Sequence, residues 1–214
     1  MSLPMDITEK CAVCGIESSQ TILMSTNTFG GTPDLDLRPA EMMRSTMCWW
    51  IQECPHCGYV SGSLDDKPKV SPEWLKSESF ASCGGRKFES ELAKRFYKQY
   101  LINVEAQDEE GAFYAALHAA WACDDASDTE NAIHCRKCAL AELEKMHEPD
   151  EELIVVKTDL LRRTEQFDKL ITEFEGLSFT NDLHNDIIAF QIEKAQQQDT
   201  RRYRIMDVRG LPFE

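Results

Sequence analysis

The chain has 214 residues, 42% apolar and 29% charged, which excludes a disordered chain and leaves enough apolar mass for a core. Its formal net charge of −15 opposes binding to phosphate backbones and anionic membranes, since both rely on clustered Lys and Arg. No apolar run reaches the length of a membrane span.

No charged n-region followed by an apolar h-region opens the sequence, so no secretory signal is read there. Met1-Ser2-Leu3 ahead of Pro4-Met5 reads as a vector-derived leader, with Met5 as the natural start. The expected compartment is the cytoplasm. There, nine cysteines serve as metal ligands, redox groups or small core residues rather than as disulfides.

The first motif is Cys11-Ala12-Val13-Cys14-Gly15. A strand is expected over 21–28, followed by the turn-dense run Phe29-Gly30-Gly31-Thr32-Pro33-Asp34. Asp34-Leu35-Asp36-Leu37-Arg38-Pro39 is the most unusual polar string. Its charges either bind a ligand or pair with each other at the edge of a ribbon, and the second is the expectation. Cys48-Trp49-Trp50-Ile51-Gln52 is β-prone and leads into Cys54-Pro55-His56-Cys57-Gly58-Tyr59.

The two cysteine pairs carry the chemistry. Two intervening residues bring both thiolates to one side of a tight turn. A glycine after the second cysteine accepts the positive φ that turns backbone amides toward sulfur. Two such knuckles supply four sulfurs, the closed tetrahedral set of a structural zinc ion. Cys11, Cys14, Cys54 and Cys57 are therefore the expected ligands of one zinc per chain. Four sulfurs leave no position open for water or substrate, so the metal is expected to fold the module rather than to catalyse.

Near residue 85 the composition changes. A loop-rich connector over 62–86 gives way to segments with one apolar face each: 88–104, 109–122, 128–146, 151–163, 166–175 and 183–197. Faces of this kind must be buried on one another, which predicts packed helical hairpins. The turns at 122–128 and 160–167 lie about forty residues apart, near a tetratricopeptide period. The expected organisation is a zinc-ribbon-like β module with its connector over 1–85, a tetratricopeptide-like helical domain over 86–199, and a basic tail over 200–214. The fold class is α+β, mostly α. The tail, with Arg201, Arg202, Arg204 and Arg209, either docks on the acidic helices or stays solvated.

The other cysteines receive simpler readings. Cys48 is expected in the core and Cys83 in a loop as a free thiol, while Cys123, Cys135 and Cys138 act as small hydrophobes on helices. His56 is expected to point outward. His134, Cys135 and Cys138 invite a second metal, but two more donors would be needed and none is evident. No phosphate-binding glycine loop and no nucleophile elbow is present, so catalysis is not expected.

Cys11, Cys14, Trp50, Cys54, Pro55, Cys57, Gly58 and Tyr59, followed by helical hairpins, resemble an uncharacterised bacterial cytosolic family of the domain-of-unknown-function 2225 type. That family is described as zinc ribbon plus tetratricopeptide-like repeats. The resemblance spans nearly the whole chain; it implies an architecture and no activity. The leading expectation is a non-enzymatic adaptor whose helical repeats form the groove that binds a protein or peptide, without nucleic acid or membrane. A rubredoxin-like iron carrier is the alternative, because paired Cys-x-x-Cys-Gly knuckles also hold a single iron. A nucleic-acid-binding ribbon comes third.

Overall fold

The computed structural model describes residues 2–209; expected features at Met1 and over 210–214 lie outside the described residues. The fold is α+β and mostly α, with two small antiparallel strand pairs followed by helices. Strand β1 (Leu3–Lys10) pairs antiparallel with β2 (Glu17–Ser25), in a regular register from Pro4↔Leu23 to Lys10↔Glu17. The strand expected over 21–28 thus starts and ends earlier. The Asn27 side chain accepts a hydrogen bond from the Phe29 amide at 3.0 Å, a local turn that competes with strand extension.

Helix α1 (Glu41–Arg44) is a single turn. Where a β-prone run is read over Cys48-Trp49-Trp50-Ile51-Gln52, the chain instead forms a 3-10 turn over Met47–Trp49 and becomes extended only at Gln52. Thr46 sets this turn: its hydroxyl donates to the Met43 carbonyl at 2.7 Å and accepts from the Trp50 indole at 2.9 Å. Met47 takes the buried position and Cys48 is exposed, so the expectation of a core cysteine there is corrected. Only β3 (Gln52–Glu53) remains extended, paired antiparallel with β4 (Val60–Ser61). After α2 (Glu78–Ala81), Cys83 lies on another tight turn as a free thiol, buried in the core.

The six helical segments read from the sequence are present: α3 (Glu91–Glu105), α4 (Glu109–Asp125), α5 (Thr129–Leu143), α6 (Glu151–Arg163), α7 (Phe167–Phe174) and α8 (Asp182–Gln196). A last short helix, α9 (Ile205–Arg209), follows. The joints share one construction. Gln107, Ser127, Glu165 and Gln198 each adopt a left-handed φ just past a helix end. The next amide then reaches back to the final turn, from Asp108 to Asn103, Asp128 to Cys123, Gln166 to Leu161 and Asp199 to Lys194, each at 2.9 Å. This is the bond that closes a Schellman turn. Asp108 and Asp128 then cap the following helices by accepting from Gly111 and Asn131.

Helix α4 is the centre of the helical half. Ala112, Ala116, Ala119 and Ala120 are fully enclosed, and their small side chains let α3 and α5 pack on either side of it. Helix α8 packs on α6 and α7.

The string at 34–38 behaves differently from expectation. Asp34, Asp36 and Arg38 are all about 1% exposed, and their partners are on the helices and the tail rather than at a ribbon edge. The Asp36 carboxylate accepts from the Trp121 indole at 2.9 Å and from Arg163 at 3.3 Å, and Arg136 stands 3.6 Å away. Arg136 and Arg163 also grip Asp124, and Arg38 pairs with Asp125. Burial pushes the Asp124 carboxyl up, but the Arg136 and Arg163 guanidiniums outweigh it and hold the group below its ordinary range. Asp34 has weaker help: Arg44 lies at 2.9 Å and Arg202 at 3.7 Å, and burial leaves its carboxyl raised.

The tail completes this junction. The Leu35 amide donates to the Tyr203 carbonyl at 2.9 Å and the Ile205 amide to the Pro33 carbonyl at 3.0 Å. Arg162, fully buried, donates to the carbonyls of Asp199 and Arg201 and to the Asp159 carboxylate. Its guanidinium stacks 5.2 Å from the Tyr203 ring. Of the two readings of the tail, residues 203–206 therefore dock, on the 32–35 loop as well as on α8.

Candidate metal centre

Each knuckle sits at the tip of an antiparallel strand pair, the first between β1 and β2 and the second between β3 and β4. The two tips are built alike. Gly15 donates to the Cys11 carbonyl at 2.8 Å, and Gly58 to the Cys54 carbonyl at 2.9 Å. The amide of Cys11 donates to Ile16 at 3.1 Å, and that of Cys54 to Tyr59 at 2.8 Å. Gly15 and Gly58 have φ of 74° and 73°, the conformation that the motif requires of glycine.

The four sulfurs converge. Cys11 and Cys57 Sγ are 3.7 Å apart, Cys14 and Cys54 Sγ are 3.6 Å apart, and all four lie within 4.8 Å of one another. A metal–sulfur bond of about 2.3 Å in a regular tetrahedron sets sulfur–sulfur edges of about 3.8 Å. The donor set therefore fits a single tetrahedral ion. Cys11 and Cys54 are fully buried, while Cys14 and Cys57 are partly exposed. Burial pushes the Cys11 and Cys57 thiols up. Burial acts the same way on Cys54, but amide hydrogen bonds from Cys57 and His56 outweigh it and lower that thiol. His56 is exposed, as its place between the two ligands predicts.

The module is tied to the helices at two points. Glu53 receives Lys98 and, at 3.4 Å, Arg95 from α3. Trp50 meets His118 of α4, whose imidazole also packs on Phe96 and Trp121, with ring centroids 5.4, 5.1 and 4.9 Å away. Desolvation lowers the His118 pKa to about 4. The unfolded chain therefore binds a proton near pH 6.5 that the folded chain refuses until about pH 4. His118 contributes stability that is complete above pH 6.5 and lost as pH falls toward 4, by at most about 3 kcal/mol. Urea midpoints at pH 7 and pH 4.5 check this: His118→Phe should lose less stability across that interval than the native chain. Equal losses would place the titration elsewhere.

Other chemistry is less well served. Tyr97 Oη lies 3.1 Å and Cys138 Sγ 3.4 Å from the same nitrogen, Nε2, of His134. A nucleophile–base–orienter relay needs the orienting group on the other ring nitrogen. Burial also raises the Cys138 thiol and lowers His134 to about 4, which favours a neutral pair over thiolate and imidazolium. The carboxylates of Asp34 and Asp36, read as possible ligand-binding groups, are engaged by the chain's own arginines.

Sequence reasoning missed Trp121, Arg136, Arg163 and His118. The partners of Asp36 lie 85 and 127 residues away, beyond any local pattern. A Trp and two Arg on the inward faces of predicted helices were the one available signal. Among the described residues, no helix is long and apolar enough to cross a membrane. The chain thus carries a four-cysteine cluster able to hold a metal ion, and comparison with family models, curated proteins and solved structures gives no match.

Proposed function

We propose that the chain is a zinc-binding, non-enzymatic adaptor of the zinc-ribbon plus helical-hairpin kind that its knuckles resemble. The observation that carries the metal assignment is the sulfur spacing of 3.6 and 3.7 Å across two matching turns. A closed set of four thiolates suits a structural ion, and zinc is the common occupant of such a set. Protein purified from metal-replete cells and washed with a mild chelator should keep close to one zinc per chain by elemental analysis. Iron in that position, with sulfur-to-metal absorption in the visible, would instead establish the rubredoxin-like reading.

The adaptor reading is supported by the surface. Leu3, Met5 and Met24 are exposed on one face of the β1–β2 hairpin, with Phe29 exposed just beyond it. The net charge of −15 favours an apolar or basic partner over nucleic acid. Affinity capture with the full chain, compared with a Met5→Lys/Met24→Lys variant, addresses this. A protein retained by the first and lost by the second supports the adaptor. DNA or RNA retained through moderate salt refutes it.

A further inference from the structure

We propose that His134 and Cys138, with the phenol of Tyr97 as third donor, form a second metal site for a thiophilic divalent ion such as zinc or cobalt, separate from the four-thiolate centre. Helix α5 places residues 134 and 138 one turn apart on the same face. Their donor atoms, Nε2 and Sγ, are 3.4 Å apart. A tetrahedral ion about 2.0 Å from an imidazole nitrogen and 2.3 Å from a thiolate needs those atoms about 3.5 Å apart. Tyr97 reaches across from α3, and its Oη stands 3.1 Å from the same Nε2.

A neutral imidazole nitrogen offers either one lone pair or one proton, and two protic groups compete for it. A cation can draw on the imidazole and the thiolate together, with the phenol beside the same nitrogen. The motif on α5 lacks further donors of its own; Tyr97 of α3 supplies one from outside it. His134 and Cys138 are only partly buried, which leaves a fourth position for solvent. Cys135 is not part of the set: it is fully buried, against Cys123 of α4.

The surroundings set the strength. Arg86, which donates to Asn131 at 3.0 Å, favours the Cys138 thiolate and disfavours a cation. Lys137 is a further cation near His134; Tyr100 and Glu142 lie near Cys138, and Cys135 and Cys83 near Tyr97. Loading the site must release the Cys138 proton, so affinity rises with pH and stays below that of the four-thiolate centre.

The test is a cobalt titration of the zinc-loaded, full-length protein at pH 8. Cobalt(II) binds such donors more weakly than zinc(II), so it leaves the four-thiolate zinc in place. The native chain should take up one further equivalent, with a near-ultraviolet sulfur-to-cobalt band. Cys138→Ala should abolish the band, and Tyr97→Phe should weaken cobalt binding about tenfold. Each variant is first checked for its zinc and its helical signal, with Cys138→Ser as the substitute should the alanine variant not fold. No band in the native chain means a hydrogen-bonded cluster only and overturns the proposal. An undiminished band in both Cys138 variants does the same, because another thiol is then the ligand. The zinc count before titration tests the four-thiolate centre independently.

Discussion

Cys54→Ser should release the metal and unfold both strand pairs while most of the helical signal survives. Structural zinc supplies on the order of 10 kcal/mol to small modules, and nothing else in the two short pairs approaches that. Helices α3 to α6, in contrast, pack extensively on one another, with Ala116, Leu117, Leu160 and Leu161 fully enclosed. The loop at 34–38 stays docked in this variant, because the arginine partners of Asp36 are on α5 and α6. The measurements are zinc content, near-ultraviolet circular dichroism from Trp49 and Trp50, and far-ultraviolet circular dichroism. Loss of nearly all helical signal would show that the Trp50–His118 and Glu53–Lys98 contacts make the chain one cooperative unit.

Asp36→Ala should cost about 3–5 kcal/mol, the range for removing one partner from a buried charge cluster. It removes one of the two carboxylates that Arg136 and Arg163 share and leaves the Trp121 indole N–H without its acceptor. For a chain of this length the melting temperature should fall by about 10 °C or more. Asp36→Asn should cost less, because an amide oxygen still accepts from Trp121. Adding Arg163→Met to Asp36→Asn should recover part of the loss, since two guanidiniums would otherwise share the single carboxylate of Asp124. A loss below about 1 kcal/mol for the alanine variant would mean that the pairs behave as solvated surface ion pairs.

The contrast between these two sites shows what a sequence displays. The metal centre was legible because each half is local: two cysteines, two spacers and a glycine define one turn, and the chemistry needs only two copies. The helices were legible because one apolar face repeats every three or four residues, as in Phe113, Ala116, Leu117 and Ala120. Asp36 carries no such mark. Its neighbours suggested mutual pairing, but Arg38 instead reaches Asp125, and Asp36 is matched by residues chosen through tertiary packing. Cys48 was misplaced for a related reason. A β-prone composition lost to the Thr46 hydroxyl, which organises a turn that a propensity scale does not see.

The closure of the 32–36 loop by the tail has a consequence for synthesis on the ribosome. Cys11 and Cys57 are separated by 46 residues, so the metal centre can assemble while most of the chain is still unmade. Asp36 must wait 127 residues for Arg163, and Thr32 must wait 174 residues for the amide of Met206. At ~5–20 residues per second the second interval is roughly 10–30 s. Through that time Asp34, Asp36 and Arg38, buried once the chain has folded, lack the partners that enclose them. The acidic string is thus left open before release and becomes the buried junction of N-terminal loop, helices and tail afterwards.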